Sequence, residues 1–286
     1  MKRLISSAAL AFLICHSALA ADDIESAYSE LKTAVDAKKG PAEIKSLAAE
    51  VLTFVNKAPG DAHAKEIGAY TEYALYAAAL QGPAAVTVDL MGVLEQHSPK
   101  SPYLGSGYGH YLAALGQVAP GRVAAAAEKG LASFPDNQDL LVAGANGAMQ
   151  KSQADRALTL AKRALSSRPA KPEGVASADW DRAQNSIAGS MHWIAGIVYG
   201  SKNQFFECDK ELRIAQPLIK GNQAMEGPAY FYLGLSNYQL GRGAVNKAQI
   251  QEGAKFSELS AAIPGQYQRQ AYTNAQSMKA EAAKMR

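Results

Sequence analysis

Two short segments, GLASFP at residues 130–135 and ALSSRP at residues 164–169, lie 34 residues apart and share one pattern. Each begins with a small residue followed by leucine, and each ends in proline. The small residue allows close helix packing, leucine fills a core, and proline ends a helix because it lacks an N–H and clashes with the preceding turn. Prolines also stand at positions 59 and 99, so four of them are separated by 40, 36 and 34 residues. This spacing predicts a series of helical hairpins that each end in proline.

The composition and the turn signals favour an all-α fold. Hydrophobic residues make up 48% of the chain, and strand patterns are nearly absent. Gly40-Pro41 and Ser101-Pro102 are predicted to start helices, since proline suits the first helical turn. The helix that Asp61 opens has an apolar face at helical spacing, made of Tyr70, Tyr73, Ala77 and Leu80.

The pattern predicts about six hairpins and a terminal helix. Divergent hairpins are expected over 21–99, more regular ones over 100–169 and 179–264, and a loop over 170–178. The segment 265–286 is predicted to form an amphipathic helix that caps the array, because a stack of hairpins needs a polar outer face at its end.

The N-terminus has the features of a secretory signal peptide over residues 1–20. Two basic residues precede a short apolar run, and small residues surround an expected cut after Ala20. The run is shorter than the roughly 20 residues of a membrane-spanning helix. The sequence therefore predicts an exported protein without an integral membrane segment, periplasmic in a Gram-negative bacterium or else extracellular. Cys15 leaves a lipoprotein signal as the alternative, although such signals favour a small residue where Ile14 stands.

Removal of this leader leaves a nearly neutral chain. It takes away two of the 29 Lys and Arg residues and none of the 26 Asp and Glu residues, which gives 27 − 26 = +1. A charge near zero argues against a nucleic-acid partner. Cys208 is the one cysteine beyond the leader, so packing rather than a disulfide must stabilise the mature chain.

The chain resembles the tetratricopeptide repeat (TPR) family, in which small residues mark helix crossings and proline follows the second helix. The resemblance covers residues 100–264 well and 22–99 loosely. The matching residues in hairpins four, five and six are Ala157, Ala164, Leu165, Pro169, Gly196, Tyr199, Cys208, Leu212, Ala215, Tyr230, Leu233, Gly234, Tyr238, Phe256 and Pro264. Gly144-Ala145 replaces the usual Leu-Gly pair, and hairpins five and six exceed the family's length. The resemblance implies a right-handed superhelical solenoid, and the alternative is an ordinary helical bundle.

The resemblance also implies a binding surface, because the first helices of TPR hairpins line a concave groove. The residues that it places there are Asn146, Met149, Gln150, Trp193, Ile197, Phe231, Leu235, Tyr238 and Gln239. Aromatic and amide side chains suit a protein or peptide partner. The alternative is that these side chains pack against the 170–178 loop or the C-terminal helix. The family's Lys/Asn carboxylate clamp is missing apart from Asn146, so binding of a C-terminal carboxylate is not expected.

No motif in the sequence indicates catalysis, a cofactor or a metal. His63, His97, His110 and His192 show neither HExxH nor metal-ligand spacing with Cys208. The sequence therefore predicts a non-catalytic scaffold that binds a polypeptide. The alternative is a helical enzyme or small-ligand-binding protein with a pocket around Tyr108, His110 or His192.

Overall fold

A computed structural model describes residues 23–167 and 169–285. The predicted signal peptide lies outside these residues. The prediction of an all-α fold is confirmed, since the described residues contain helices and no strand. The helices are α1 (23–36), α2 (Pro41–Val55), α3 (Ala62–Gln81), α4 (Ala84–His97), α5 (Pro102–Val118), α6 (Val123–Ser133), α7 (Gln138–Gln150), α8 (Ala154–Ser166), α9 (Ser177–Ser201), α10 (Phe205–Leu218), α11 (Gln223–Gly243), α12 (Lys247–Ala261) and α13 (Gln268–Lys284).

Local signals explain where several of these helices begin. Pro41 and Pro102 occupy the first turns of α2 and α5, where the missing N–H of proline would have no helical partner. The Asp61 carboxylate accepts from the amides of His63 and Ala64 at 2.7 and 3.1 Å and caps α3. The Asp61 cap thus satisfies two backbone amides that the start of a helix leaves without a partner.

The chain divides into two compact units, the first ending at Phe134 and the second beginning at Pro135. In the second unit each helix packs against its neighbour in sequence. In addition, α7 contacts α9, α9 contacts α11, and α11 contacts α13. The first helices of successive hairpins therefore lie side by side in this unit. In the first unit the sequence neighbours from α2 to α5 also pack together, and α2 contacts α4 while α3 contacts α5.

Helices α11 and α12 touch through their backbones at two glycines. A Cβ atom on Gly234 would lie 3.0 Å from the carbonyl oxygen of Gly253 and 3.0 Å from the amide nitrogen of Ser257. A Cβ atom on Gly253 would lie 2.8 Å from the carbonyl oxygen of Gly234. Glycine is needed at both positions because no side chain fits between the two backbones.

Four hairpins share one turn conformation between their two helices. The turns are centred on Lys38, Ser152, Asn203 and Val245, whose φ angles are 52°, 56°, 59° and 51°. In each turn the next amide donates to a carbonyl five residues earlier: Lys39 to Ala34 (2.9 Å), Gln153 to Ala148 (2.8 Å), Gln204 to Tyr199 (2.9 Å) and Asn246 to Gly241 (2.7 Å). This is the long hydrogen bond of a Schellman turn. The hairpins formed by α3–α4 and α5–α6 are instead interrupted at Pro83 and Pro120.

Replacing Val245 with asparagine is expected to raise the free energy of unfolding by about 1 kcal/mol, because a β-branched residue is strained at positive φ and asparagine is not. Val245 is 79% exposed, so little packing is lost. The reciprocal change Asn203→Val, at the same position of the preceding hairpin, should lower stability by a similar amount. Urea titration followed by circular dichroism measures both. A loss of stability in Val245→Asn would contradict the strain argument.

Candidate functional site

The nine residues that the sequence predicted to line a groove lie on α7, α9 and α11, which pack side by side. Their exposure differs widely. Asn146 and Gln150 are exposed and Phe231 is buried. The others are half-buried: Met149, Trp193, Ile197, Leu235, Tyr238 and Gln239.

Two of the α11 residues contact the C-terminal segment. The ring of Phe231 stacks on Tyr267 with centroids 4.5 Å apart. The Tyr238 hydroxyl donates to Glu281 on α13 at 2.6 Å, and Arg242 forms an ion pair with the same carboxylate at 3.2 Å. For Phe231 and Tyr238, these contacts match the alternative expectation of packing against the C-terminal helix.

Trp193 lines a cleft in the second unit, and we call it the Trp193 cleft. Its other lining residues come from the first turns of α11, the end of α12, the α12–α13 connection and the start of α13: Gln223, Ala224, Gly227, Pro228, Ser260, Ile263, Pro264, Gly265, Gln266, Tyr267 and Gln268. The cavity has a volume of about 300 Å³. Trp193 is the residue of the predicted set that lines this cleft.

Internal hydrogen bonds hold the walls of the Trp193 cleft in position. The indole N–H of Trp193 donates to the carbonyl of Met225 at 2.8 Å, which joins α9 to α11. The Ser260 hydroxyl donates to the carbonyl of Gly227 at 2.9 Å, which joins α12 to α11. The cleft therefore presents a fixed indole face.

The lining of the Trp193 cleft is uncharged. It combines Trp193 and Tyr267 with three glutamine side chains, and none of its described residues is acidic or basic. Each glutamine amide can both donate and accept a hydrogen bond, as a peptide group does. The arrangement can bind a peptide backbone through amides while an apolar side chain rests on the aromatic rings.

A second cavity, which we call the tyrosine groove, lies in the first unit between the α1–α2 turn and α3. Its volume is about 580 Å³. Its lining comprises Val35, Lys38, Lys39, Pro41, Ile44, Tyr70, Tyr73, Ala74, Ala77, Ala78, Gln81, Gly82 and Pro83. None of these residues belongs to the set that sequence reasoning selected.

The apolar face assigned to α3 explains why the tyrosine groove was missed. The buried side of this helix is formed instead by Ala64, Ile67, Gly68, Thr71, Ala74, Leu75 and Ala79. Tyr73 is 51% exposed and Leu80 43% exposed. Ile67 and Leu75 are the large apolar residues on the buried side, and small residues occupy its other positions. The tyrosines dominated the sequence pattern although they border a cavity. The feature of the sequence that could have indicated this groove was the excess of tyrosine in α3.

Neighbouring rings support the tyrosines of this groove. Tyr28 on α1 meets Tyr70 edge to face at 5.4 Å, and Tyr103 on α5 lies 5.7 Å from Tyr73. Burial, with smaller contributions from the Asp36 carboxylate and Tyr28, raises the pKa of Tyr70. Tyr70 therefore stays neutral near pH 7 and can donate a hydrogen bond from its hydroxyl.

Tyr108, His110 and His192, the residues of the alternative, enzymatic hypothesis, have different surroundings. Tyr108 is buried against Tyr111 and Phe134, and burial raises the pKa of its hydroxyl. His110, on the same helix, is exposed. His192 on α9 pairs with Glu211 on α10 at 2.6 Å and lines neither cavity described above.

Cys208 belongs to the core of the second unit. It is fully buried with Leu212, Ala215 and Leu233, and burial raises the pKa of its thiol to about 12. A thiol with this pKa is a poor nucleophile at neutral pH. Among the described residues, no group of three or more His, Cys, Asp or Glu side chains is arranged to hold a metal ion. Within the same residues, no helix combines the length and hydropathy needed to cross a membrane.

Comparison with known proteins does not assign this chain to a family. No model of a known protein family matches it, and no curated protein is significantly similar to it. The TPR resemblance therefore rests on the residues quoted above.

Proposed function

We propose that this chain is a non-catalytic TPR-like scaffold that binds an uncharged polypeptide segment in the Trp193 cleft. In this proposal its hairpins form a right-handed solenoid, and the leader over residues 1–20 directs it to the periplasm or the extracellular space. The observation that carries the binding function is the cleft itself, in which two aromatic rings and three glutamines meet without a charged side chain.

The recurring turn and the helix contacts support the repeat architecture. Ser152, Asn203 and Val245 hold the same left-handed conformation in three successive hairpins of the second unit. In the same unit, α7, α9 and α11 pack in a row. Hairpins that stack on their neighbours in this way bury their apolar faces in the manner of a repeat protein.

The chemistry of the Trp193 cleft supports a polypeptide as ligand. Extended peptides present alternating amide donors and acceptors, which glutamine side chains can pair. Large aromatic side chains dominate the binding energy of protein interfaces because they remove much area from water. An uncharged lining disfavours strongly acidic or basic segments, since their charges would lose water without gaining a partner.

A peptide library displayed on phage tests the proposal with the whole protein as bait. Peptides enriched on the wild-type chain are expected to be rich in apolar and uncharged residues. Their synthetic copies should bind Trp193→Ala about 30-fold more weakly, the loss typical of an interfacial aromatic anchor.

A pair of matched variants separates the cleft from the rest of α11. Ala224 lines the cleft, whereas Ala244 is exposed just beyond the other end of the helix. Ala224→Arg should block the selected peptides by placing a long charged side chain in the cleft, and Ala244→Arg should leave their affinity unchanged. The proposal is wrong if no peptide is enriched, or if the enriched peptides bind Ala224→Arg as tightly as the wild type.

A further inference from the structure

We propose that the tyrosine groove of the first unit binds a free, single-chain aliphatic carboxylate. This site goes beyond the proposed function, because its residues lie on α1, α2, α3 and their connections rather than in the Trp193 cleft. If the peptide experiment fails, the inference about the tyrosine groove is unaffected. If the carboxylate experiment fails, the proposed function of the Trp193 cleft is unaffected.

The floor of the groove suits an alkyl chain. Val35, Ile44, Ala74, Ala77 and Ala78 contribute apolar surface. Its volume of about 580 Å³ falls within the range of about 300–1,000 Å³ that is usual for small-ligand sites. Tyr73, half exposed beside this floor, can cover one side of a bound chain.

The charges of the groove suit one anionic end group. Two lysines line it, and none of its described lining residues is acidic. Lys39 is engaged by Glu43 at 3.6 Å. Lys38 has no ion-pair partner among residues 23–167 and 169–285, so its ammonium group is available to a ligand. The exposed Asp36 carboxylate acts on Tyr70 but does not belong to the lining.

The position of Lys38 follows from the backbone. Its φ of 52° and the bond from the Lys39 amide to Ala34 at 2.9 Å fix the α1–α2 turn beside the apolar floor. Gln81, Tyr70 and Tyr73 also line the groove, and each carries a side-chain hydrogen-bond donor. The groove thus combines one available cation and several donors with an apolar surface, which is complementary to a carboxylate with an alkyl tail.

Isothermal titration calorimetry with octanoate, decanoate and dodecanoate, each below its micelle concentration, tests the proposal on the whole chain. Binding should saturate at one ligand per chain. The dissociation constant should fall by up to about fifteenfold for each two methylenes added, since each buried methylene contributes a factor of about four.

Two pairs of variants locate the site. Ala77→Trp should abolish binding by filling the groove, whereas Ala69→Trp, at an exposed position of the same helix, should not. Lys38→Asn removes the ammonium group with a residue that tolerates positive φ, and it should weaken decanoate binding about fivefold. Lys38→Asn should leave the affinity for the neutral analogue decan-1-ol unchanged. The control Lys32→Gln on α1 should leave the affinities for both decanoate and decan-1-ol unchanged.

The outcomes distinguish the proposal from its competitors. It is overturned if the carboxylates show no saturable binding, if Ala77→Trp binds them like the wild type, or if affinity does not rise with chain length. The groove would instead be a site for an acidic peptide if a glutamate-rich peptide binds the wild type but not Lys38→Asn, and dodecanoate does not bind. Circular dichroism spectra that match the wild type exclude misfolding as the cause of any loss.

Discussion

Replacing Gly234 with valine is expected to lower the free energy of unfolding by about 3 kcal/mol or more. The first added carbon would lie 2.4 Å from the Ser257 hydroxyl oxygen and 3.0 Å from two backbone atoms of α12. A flexible side chain can move aside, but the carbonyl of Gly253 and the amide of Ser257 belong to a rigid helix. The hairpin must therefore separate, and overpacking of this kind is among the costlier core substitutions.

The matched control is Gly243→Val at the end of the same helix. Nothing lies within 4 Å of the Cβ position there, so the change should stay within about 0.5 kcal/mol, as is usual for an unhindered surface position. Urea unfolding followed by circular dichroism at 222 nm compares the two variants. Gly234→Ala, a milder change, provides a measurable value if the valine variant does not fold. A loss below about 1 kcal/mol for Gly234→Val would mean that α11 and α12 do not touch through their backbones.

Replacing Asn237 with alanine is expected to cost about 3 kcal/mol, because this buried amide joins three helices. Its Nδ2 donates to Asp209 on α10 at 2.6 Å and to the carbonyl of Leu233 at 2.9 Å. Its Oδ1 accepts from Arg213 at 3.1 Å. Arg213 in turn bonds Asp209 at 2.8 Å and Glu252 on α12 at 3.0 Å.

The expected loss reflects both the missing hydrogen bonds and the groups left behind. Asn237 is 1% exposed, so water cannot easily replace its amide, and alanine would also leave a small cavity. Asn185, exposed on α9, is the control, and Asn185→Ala should change stability by less than about 0.5 kcal/mol. A double-mutant cycle between Asn237→Ala and Arg213→Ala should give a coupling energy above about 1 kcal/mol. Additive single effects would show that the two side chains do not act together.

The helical class and many helix ends follow from local physical chemistry, and the sequence predicted them for that reason. Proline at Pro41 and Pro102 and the carboxylate of Asp61 act on the backbone within one helical turn. No distant contact is required for these effects. The turns at Lys38 and Val245 were not foreseen, because lysine and valine carry no preference for positive φ.

The two cavities depended on contacts between residues far apart in the chain. Trp193 and Tyr267 are separated by 74 positions, counted as 267 − 193, yet line one cleft. Phe231 and Trp193 are both aromatic residues that the sequence placed in the predicted groove. Phe231 is covered by Tyr267, whereas Trp193 borders open space. Periodicity identifies the faces of a single helix but does not specify which neighbour covers each face.

The tyrosines of α3 show this limit most directly. Their spacing predicted an apolar buried face, but Tyr73 is exposed, Ile67 and Leu75 are buried in its place, and the tyrosine rings border a groove. Burial on α3 depends on which side chains of neighbouring helices pack against it, such as Val55 of α2, whose Cγ1 would lie 3.0 Å from a Cβ atom on Gly68. The sequence thus accounts for the helices and their ends through local hydrogen bonding, whereas packing between distant helices determines which aromatic side chains remain available to a ligand.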